Sequence, residues 1–148
     1  MSLMDAPEYD PAKERRRNII IGVAIFLVLL LGLLGWLYRF WPQERIADRF
    51  FTALEQKDFE RAYGIWWNDP DWKQHQERYA KQYAFNEFYR DWGLGGEWGV
   101  VKSHKVSASG NCRPAGTGVV VEVIVNGRVE PARLYIDKKD KTLSFPPC

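Results

Sequence analysis

Histidine and cysteine are scarce in this chain of 148 residues, with two of each. A zinc site needs three or four such ligands in matched geometry. His75 and His104 have no companions at short spacing, so neither a metal nor another cofactor is expected. A charge surplus is scarce too. The net charge is +2, and its basic excess sits in Lys13, Arg15, Arg16 and Arg17, while beyond Pro42 acids and bases nearly cancel. A domain without a basic stripe argues against nucleic acid as a partner. No complete set of nucleophile, base and orienting group stands out, which excludes a ready assignment as an enzyme and favours a protein without catalytic activity.

From Ile19 to Leu37 charge is missing altogether: IIIGVAIFLVLLLGLLGWL. A helix of about 20 residues crosses the hydrocarbon layer of roughly 30 Å. Each Leu, Ile, Val or Phe near its centre favours insertion by roughly 0.3–0.6 kcal/mol. Trp36, Tyr38 and Trp41 fall where an interfacial aromatic belt belongs, and Arg39 can snorkel to that depth. A cleaved signal peptide has a shorter apolar stretch and a small-residue cleavage site, whereas this run ends in bulky aromatics. Gly32 and Gly35 do not form a small-xxx-small pair, so the helix carries no dimer motif.

The basic cluster before the run sets the orientation by the positive-inside rule. The expected organisation is a disordered cytoplasmic tail over residues 1–17, a transmembrane helix over 18–41, and an extracytoplasmic α+β domain over 42–148. The compartment expected is the inner (cytoplasmic) membrane, crossed once, with the lipid bilayer held through Ile19–Leu37 and the domain facing the periplasm or cell exterior.

Beyond the anchor the apolar spacing is helical. Ile46, Ala47, Phe50, Phe51 and Leu54 make one stripe. Asp58 reads as the N-cap of a second helix carrying Phe59, Ala62, Tyr63 and Trp66. Asp69 and Pro70 read as the start of a third, continuing through Trp72, Tyr79, Tyr83, Phe88 and Trp92 to the glycines after it. The period then changes to two. Strands are expected at Trp98–Ser107 and Val119–Val125, with a loop at 110–118 between them. Asn126-Gly127 signals a two-residue hairpin, which would place Val121 opposite Ala132 and Val119 opposite Leu134. The turn at 137–141 would place Ile136 opposite Leu143 and Leu134 opposite Phe145. The expected fold is three helices packed on one face of a curved antiparallel sheet.

The segment RFFTALEQKDFERAYGIW, Arg49–Trp66, together with the Val-rich strand and its Asn-Gly hairpin, resembles the nuclear transport factor two-like (cystatin-like) superfamily. That resemblance spans roughly residues 43–145 and rests on packing motifs. It implies a cone-shaped domain whose mouth can hold a small ligand and whose sheet face can dimerise. Membrane-anchored members include subunits of secretion machines and accessory proteins of lipid import. Enzymes of the superfamily, such as ketosteroid isomerases, place a carboxylate or histidine inside the cone as general base.

Asp91 and His75 are the residues on which such a base would fall here. Seven rings, Trp66, Trp72, Tyr79, Tyr83, Phe88, Trp92 and Trp98, are either core or the wall of a ligand cavity. Val120, Ile124, Val129 and Tyr135 would share the sheet face turned away from the helices and form an interface with a partner or a second copy. Glu122 would lie across from Pro131 and diagonal to Arg133. Cys112 and Cys148, in an exported domain, suggest one disulfide. The meander puts Cys148 beside the middle of the sheet and the Cys112 loop at its other end, so a bridge requires the loop to fold back or Pro146-Pro147 to turn the tail. The leading expectation is a membrane-anchored binding or assembly module. Its alternative is a small apolar ligand carrier, or an isomerase or hydrolase, using the aromatic cavity.

Overall fold

A computed structural model describes residues 7–113 and 117–148. The chain divides into two compact units, one ending at Arg39 and the other spanning Phe40–Cys148.

The first unit is helix α1, Pro11–Leu37. Asp10 caps it by accepting hydrogen bonds from the Ala12 and Lys13 amides at 3.0 and 3.3 Å, and Pro11 takes the first turn, where its missing N–H costs nothing. The helix therefore starts inside the stretch expected to be a disordered tail. None of its residues is buried. Its most apolar 18-residue window has a mean hydropathy of 2.9, long and apolar enough to cross a membrane. At the other end the Arg39 guanidinium donates to Trp36 O at 2.8 Å and lies over the Trp36 ring.

The second unit is α+β. Helices α2 (Trp41–Glu55) and α3 (Phe59–Trp66) come first. The α2 stripe Ile46, Ala47, Phe50, Phe51 and Leu54 is buried as its spacing dictates. Asp58 caps α3, its Oδ1 accepting from the Arg61 amide at 3.1 Å. The expected third helix is broken into a 3-10 turn at Trp72–Gln74, α4 (Gln76–Ala80) and α5 (Phe85–Trp92). The reason is visible in the ring spacing. Tyr83 to Phe88 is a step of five, which leaves the face set by Trp72 and Tyr79, while Phe85, Phe88 and Trp92 form a new face at i, i+3, i+7. Ala84 is extended, with φ −70° and ψ 160°, and the chain turns there.

Four strands follow, β1 (His104–Asn111), β2 (Gly118–Val125), β3 (Ala132–Asp137) and β4 (Leu143–Ser144), antiparallel in sequential order. The first strand lies later than expected, and Trp98 stands in the preceding loop. A bulge between Val106 and Ala108 switches the inward positions of β1 from His104 and Val106 to Ser109. Val119, Val121, Val123, Val125, Leu134 and Ile136 form the inner face, all at 0% exposure, and pack with the helices into one core.

The hairpin register differs from expectation by two residues. Asn126 and Gly127 do adopt positive φ (54° and 69°), and the Arg128 amide closes the turn on Val125 O at 3.0 Å. Pairing resumes only at Ala132, which lies opposite Val123, and Val121 faces Leu134. Pro131 has no N–H for a ladder bond, so residues 128–131 stand out of the sheet. Because the slip equals the side-chain period, every residue keeps its face. Glu122 consequently sits opposite Arg133, not Pro131, with Arg133 Nε 3.4 Å from its Oε1. Ile136 pairs with Leu143, but the ladder ends at Ser144 and Phe145 leaves it.

Candidate functional site

The rings named as a possible cavity wall are packed against one another. Trp66 lies 5.3 Å from Tyr83, 5.9 Å from Phe88 and 6.0 Å from Trp92, centroid to centroid. Phe50, reached from α2, meets Trp92 edge-on at 5.1 Å. Trp72 stacks on Phe85 at 5.1 Å and donates its indole N–H to Glu60 O at 2.9 Å. Tyr79 stacks on Trp67 at 4.7 Å. Trp66, Trp72, Tyr79, Phe88 and Trp92 are all buried, so these residues are core. Trp98 is apart from them, half-buried beneath the Arg128 guanidinium at 5.1 Å. On the rim of the cluster Phe145 lies parallel to Trp92 at 6.2 Å. The buried Trp92 Nε1 has no hydrogen-bond partner among the described residues.

The two candidate bases belong to separate hydrogen-bond sets. His75 Nδ1 lies 2.8 Å from Asp69 Oδ2, and the Tyr79 hydroxyl donates to the same oxygen at 2.6 Å. The Tyr79 hydrogen bond, followed by that of His75, holds the Asp69 carboxyl below the usual carboxylate range. Asp91 Oδ2 accepts from the Tyr83 hydroxyl at 2.6 Å, and its Oδ1 lies 3.5 Å from Arg90 Nε. Burial, followed by the Asp91 hydrogen bond, pushes the Tyr83 hydroxyl up from its ordinary range. Each candidate is thus tied to a neighbour that uses it structurally, and neither stands in an apolar cavity.

Sequence reasoning missed two groups. Asp69 reads as a helix cap, and its Oδ1 does accept from the Asp71 amide at 3.1 Å. Its second oxygen is what gathers His75 and Tyr79. His104 is the other, with a side chain only 8% exposed and a carboxylate at each ring nitrogen: Glu55 at Nδ1, and Asp48 at Nε2. The only advance signal is the i, i+7 spacing of Asp48 and Glu55 on one helix face.

Cys112 and Cys148 form a disulfide with a Cα separation of 5.8 Å. The route is the turned tail. Ser144 pairs with Tyr135, which neighbours Val120, which neighbours Gly110. Crossing three inter-strand steps of about 4.8 Å takes roughly 14 Å, close to the reach of four extended residues. The tail therefore runs across the outer face of the sheet, and Cys148 joins Val120, Glu122 and Arg133 in lining one hollow there. Val120 is buried, at 7% exposure, and Val129 stands on the projecting 128–131 segment, fully exposed. Ile124 and Tyr135 are half-buried.

A larger concavity of about 660 Å³ lies among α2, α3, the 68–74 segment and the 137–141 turn. Ile46, Ile65 and Trp72 supply its apolar surface, and Arg49, Arg61 and Lys141 line it as well. Among the described residues no group of three or more His, Cys, Asp or Glu side chains is placed to hold a metal ion. No family model, curated protein or solved structure matches this chain.

Proposed function

We propose that this chain is a membrane-tethered, non-enzymatic binding or assembly module, held by α1 with its α+β domain on the extracytoplasmic side. The observation that carries the reading is the Cys112–Cys148 disulfide in the unit that follows the apolar helix. Disulfides persist in oxidising compartments, and the Lys13–Arg17 cluster before the apolar run of α1 favours the same orientation. The order of two amphipathic helices followed by an antiparallel sheet is compatible with the nuclear transport factor two-like resemblance, which remains part of this proposal.

The surface assigned to a partner or a second copy is the hairpin end of the sheet. Ile124 lies there, and Val129, Val100 and Leu94 are exposed, at 101%, 41% and 49%. Arg128 Nη1 donates to Glu97 O at 3.0 Å and Asn126 Nδ2 to Val100 O at 2.8 Å, which pins the hairpin tip to the 94–101 loop and gives the patch a fixed shape. Contiguous exposed apolar groups are what protein contacts use. Native mass spectrometry of the full chain, extracted from its own membrane in mild detergent, tests this. A co-purifying protein or a dimer, released by Ile124→Asp, is the expected result. A monomer in both forms overturns it.

A second reading keeps a small ligand in play. The ring of Trp92, whose Nε1 has no partner among the described residues, lies parallel to the half-exposed Phe145 ring, which an apolar molecule carrying one acceptor could displace. A reproducible small mass retained by the monomer is its signature.

A further inference from the structure

We propose that the cleft between α2 and α3 is a docking site for an acidic segment of a partner protein. The inference rests on the assembly reading above and names the chemistry that one partner would carry.

The walls come from separate elements that the fold holds in place. Ile46 and Arg49 are three apart on α2, and Arg61 and Ile65 are four apart on α3, so each pair shares a helix face. Gly64 lets the 69–72 segment approach closely, since a Cβ there would lie 3.2 Å from Asp69 O and 3.3 Å from Trp72 Cδ1. Trp72 is fixed by its bond to Glu60 O. The turn that carries Lys141 is closed by Asp137, whose Oδ1 accepts from the Lys139 amide at 2.7 Å. That turn is tied to the end of α3 by Asn68 Nδ2 donating to Asp140 O at 3.0 Å. The site is therefore formed before anything enters it, which lowers the cost of binding.

The charges are unequally used. Lys73 is paired with Glu60 at 2.6 Å, and Asp58 is committed to capping α3. Among the described residues the side chains of Arg49, Arg61 and Lys141 make no ion pair or hydrogen bond, and Asp71 is the acid of the cleft left in that condition. Arg49, Arg61 and Lys141 outnumber the acids outside an ion pair, Asp58 and Asp71, by three to two, and with half-buried Ile65 beside the buried Ile46 and Trp72 they call for an anionic occupant with a small apolar part. Two guanidinium forks suit carboxylates, which they hold in bidentate fashion. The cations stand on three different elements, an arrangement suited to several carboxylates spaced along a chain rather than one compact anion.

The test uses the full chain in uncharged detergent and a short acetylated peptide alternating Glu with Leu, followed by calorimetry. The matched Gln–Leu peptide, inorganic phosphate and phosphatidylglycerol vesicles are run beside it. The expected result is binding of the Glu–Leu peptide at least about tenfold tighter than the Gln–Leu peptide, weakened by salt. Arg49→Glu/Arg61→Glu, both changes lying on exposed positions, removes that preference while near-ultraviolet circular dichroism is unchanged. Equal binding of the two peptides, an undiminished preference in the double variant, or tighter binding of phosphate or vesicles than of the Glu–Leu peptide overturns the proposal. The outcome is separable from the assembly reading. Ile124→Asp releasing a native partner while the peptide fails to bind sinks the cleft alone, and the reverse pattern leaves the cleft standing.

Discussion

The imidazole Nε2 of His104 on β1 lies 2.8 Å from Asp48 Oδ1 on α2. Nδ1 of the same ring meets Glu55, and the ring stacks on Phe51 with centroids 5.8 Å apart. With a carboxylate of α2 at each ring nitrogen, the imidazole clasps the first strand to the helix. His104→Ala removes both contacts and leaves the two carboxylates without their shared partner. A loss of about 2 kcal/mol is expected, since Asp48 is largely solvated. Urea unfolding of the full chain in detergent, read by tryptophan fluorescence, measures it. An unchanged midpoint means the clasp is ornamental.

The tail strap gives a second expectation. Residues 112 and 148 are separated by 36 positions, and closing a loop of that size stabilises a fold by about 2–4 kcal/mol. Cys112→Ser/Cys148→Ser is expected to lower stability by that order and to uncover Val120. Reductant should lower the parent to the same level and leave the double variant where it is. A parent indifferent to reductant contradicts this.

The Asp69 cluster predicts a pH dependence. The folded-state pKa of Asp69 is depressed, chiefly by the Tyr79 hydroxyl and then by His75. A depressed carboxyl contributes stability that is present above its unfolded pKa, about 3.9, and lost as pH falls through the lower folded value. Asp69→Asn should therefore be destabilised most at neutral pH, with the gap from the parent narrowing below about pH 4. Parallel stability curves across that range would show that Asp69 is not the group responsible.

How far the sequence discloses this molecule depends on whether neighbours in space are neighbours in sequence. The uncharged run Ile19–Leu37, the α2 stripe, the Asp58 cap and the Asn126-Gly127 turn are local signals, and the structure realises each of them. The break between α4 and α5 was also legible, in the five-residue step from Tyr83 to Phe88, but a continuous helix absorbs one irregular step on paper. The shift of β3 came from Pro131, whose missing donor acts on pairing rather than on local conformation. The same ring spacing serves a core and a cavity wall equally, because only the packing of Phe50 from α2 between Trp66, Phe88 and Trp92 decides between them. The two carboxylates on His104 and the path of the tail depend on contacts across tens of residues, and the second oxygen of Asp69 gathers partners six and ten positions away that sit beyond the turn it caps.

Asp91 is the residue whose role is most directly decided by mutation. As a general base it would be needed for its titration, and Asp91→Asn would abolish its function without touching the fold. As the acceptor for the half-buried Tyr83 hydroxyl, at 2.6 Å, it is needed for its oxygen. Asn offers a carbonyl oxygen in the same place, so Asp91→Asn should cost well under 1 kcal/mol, whereas Asp91→Ala leaves the hydroxyl without its partner and should cost about 1–2 kcal/mol. Tyr83→Phe removes the donor and should cost about 1 kcal/mol. In the double variant Tyr83→Phe/Asp91→Ala no buried donor is stranded, so the combined loss should fall clearly short of the sum of the two. Thermal unfolding of the four proteins in one detergent measures the cycle. Additive losses would mean that the two side chains do not act as a pair, and would return Asp91 to the list of groups free to do chemistry.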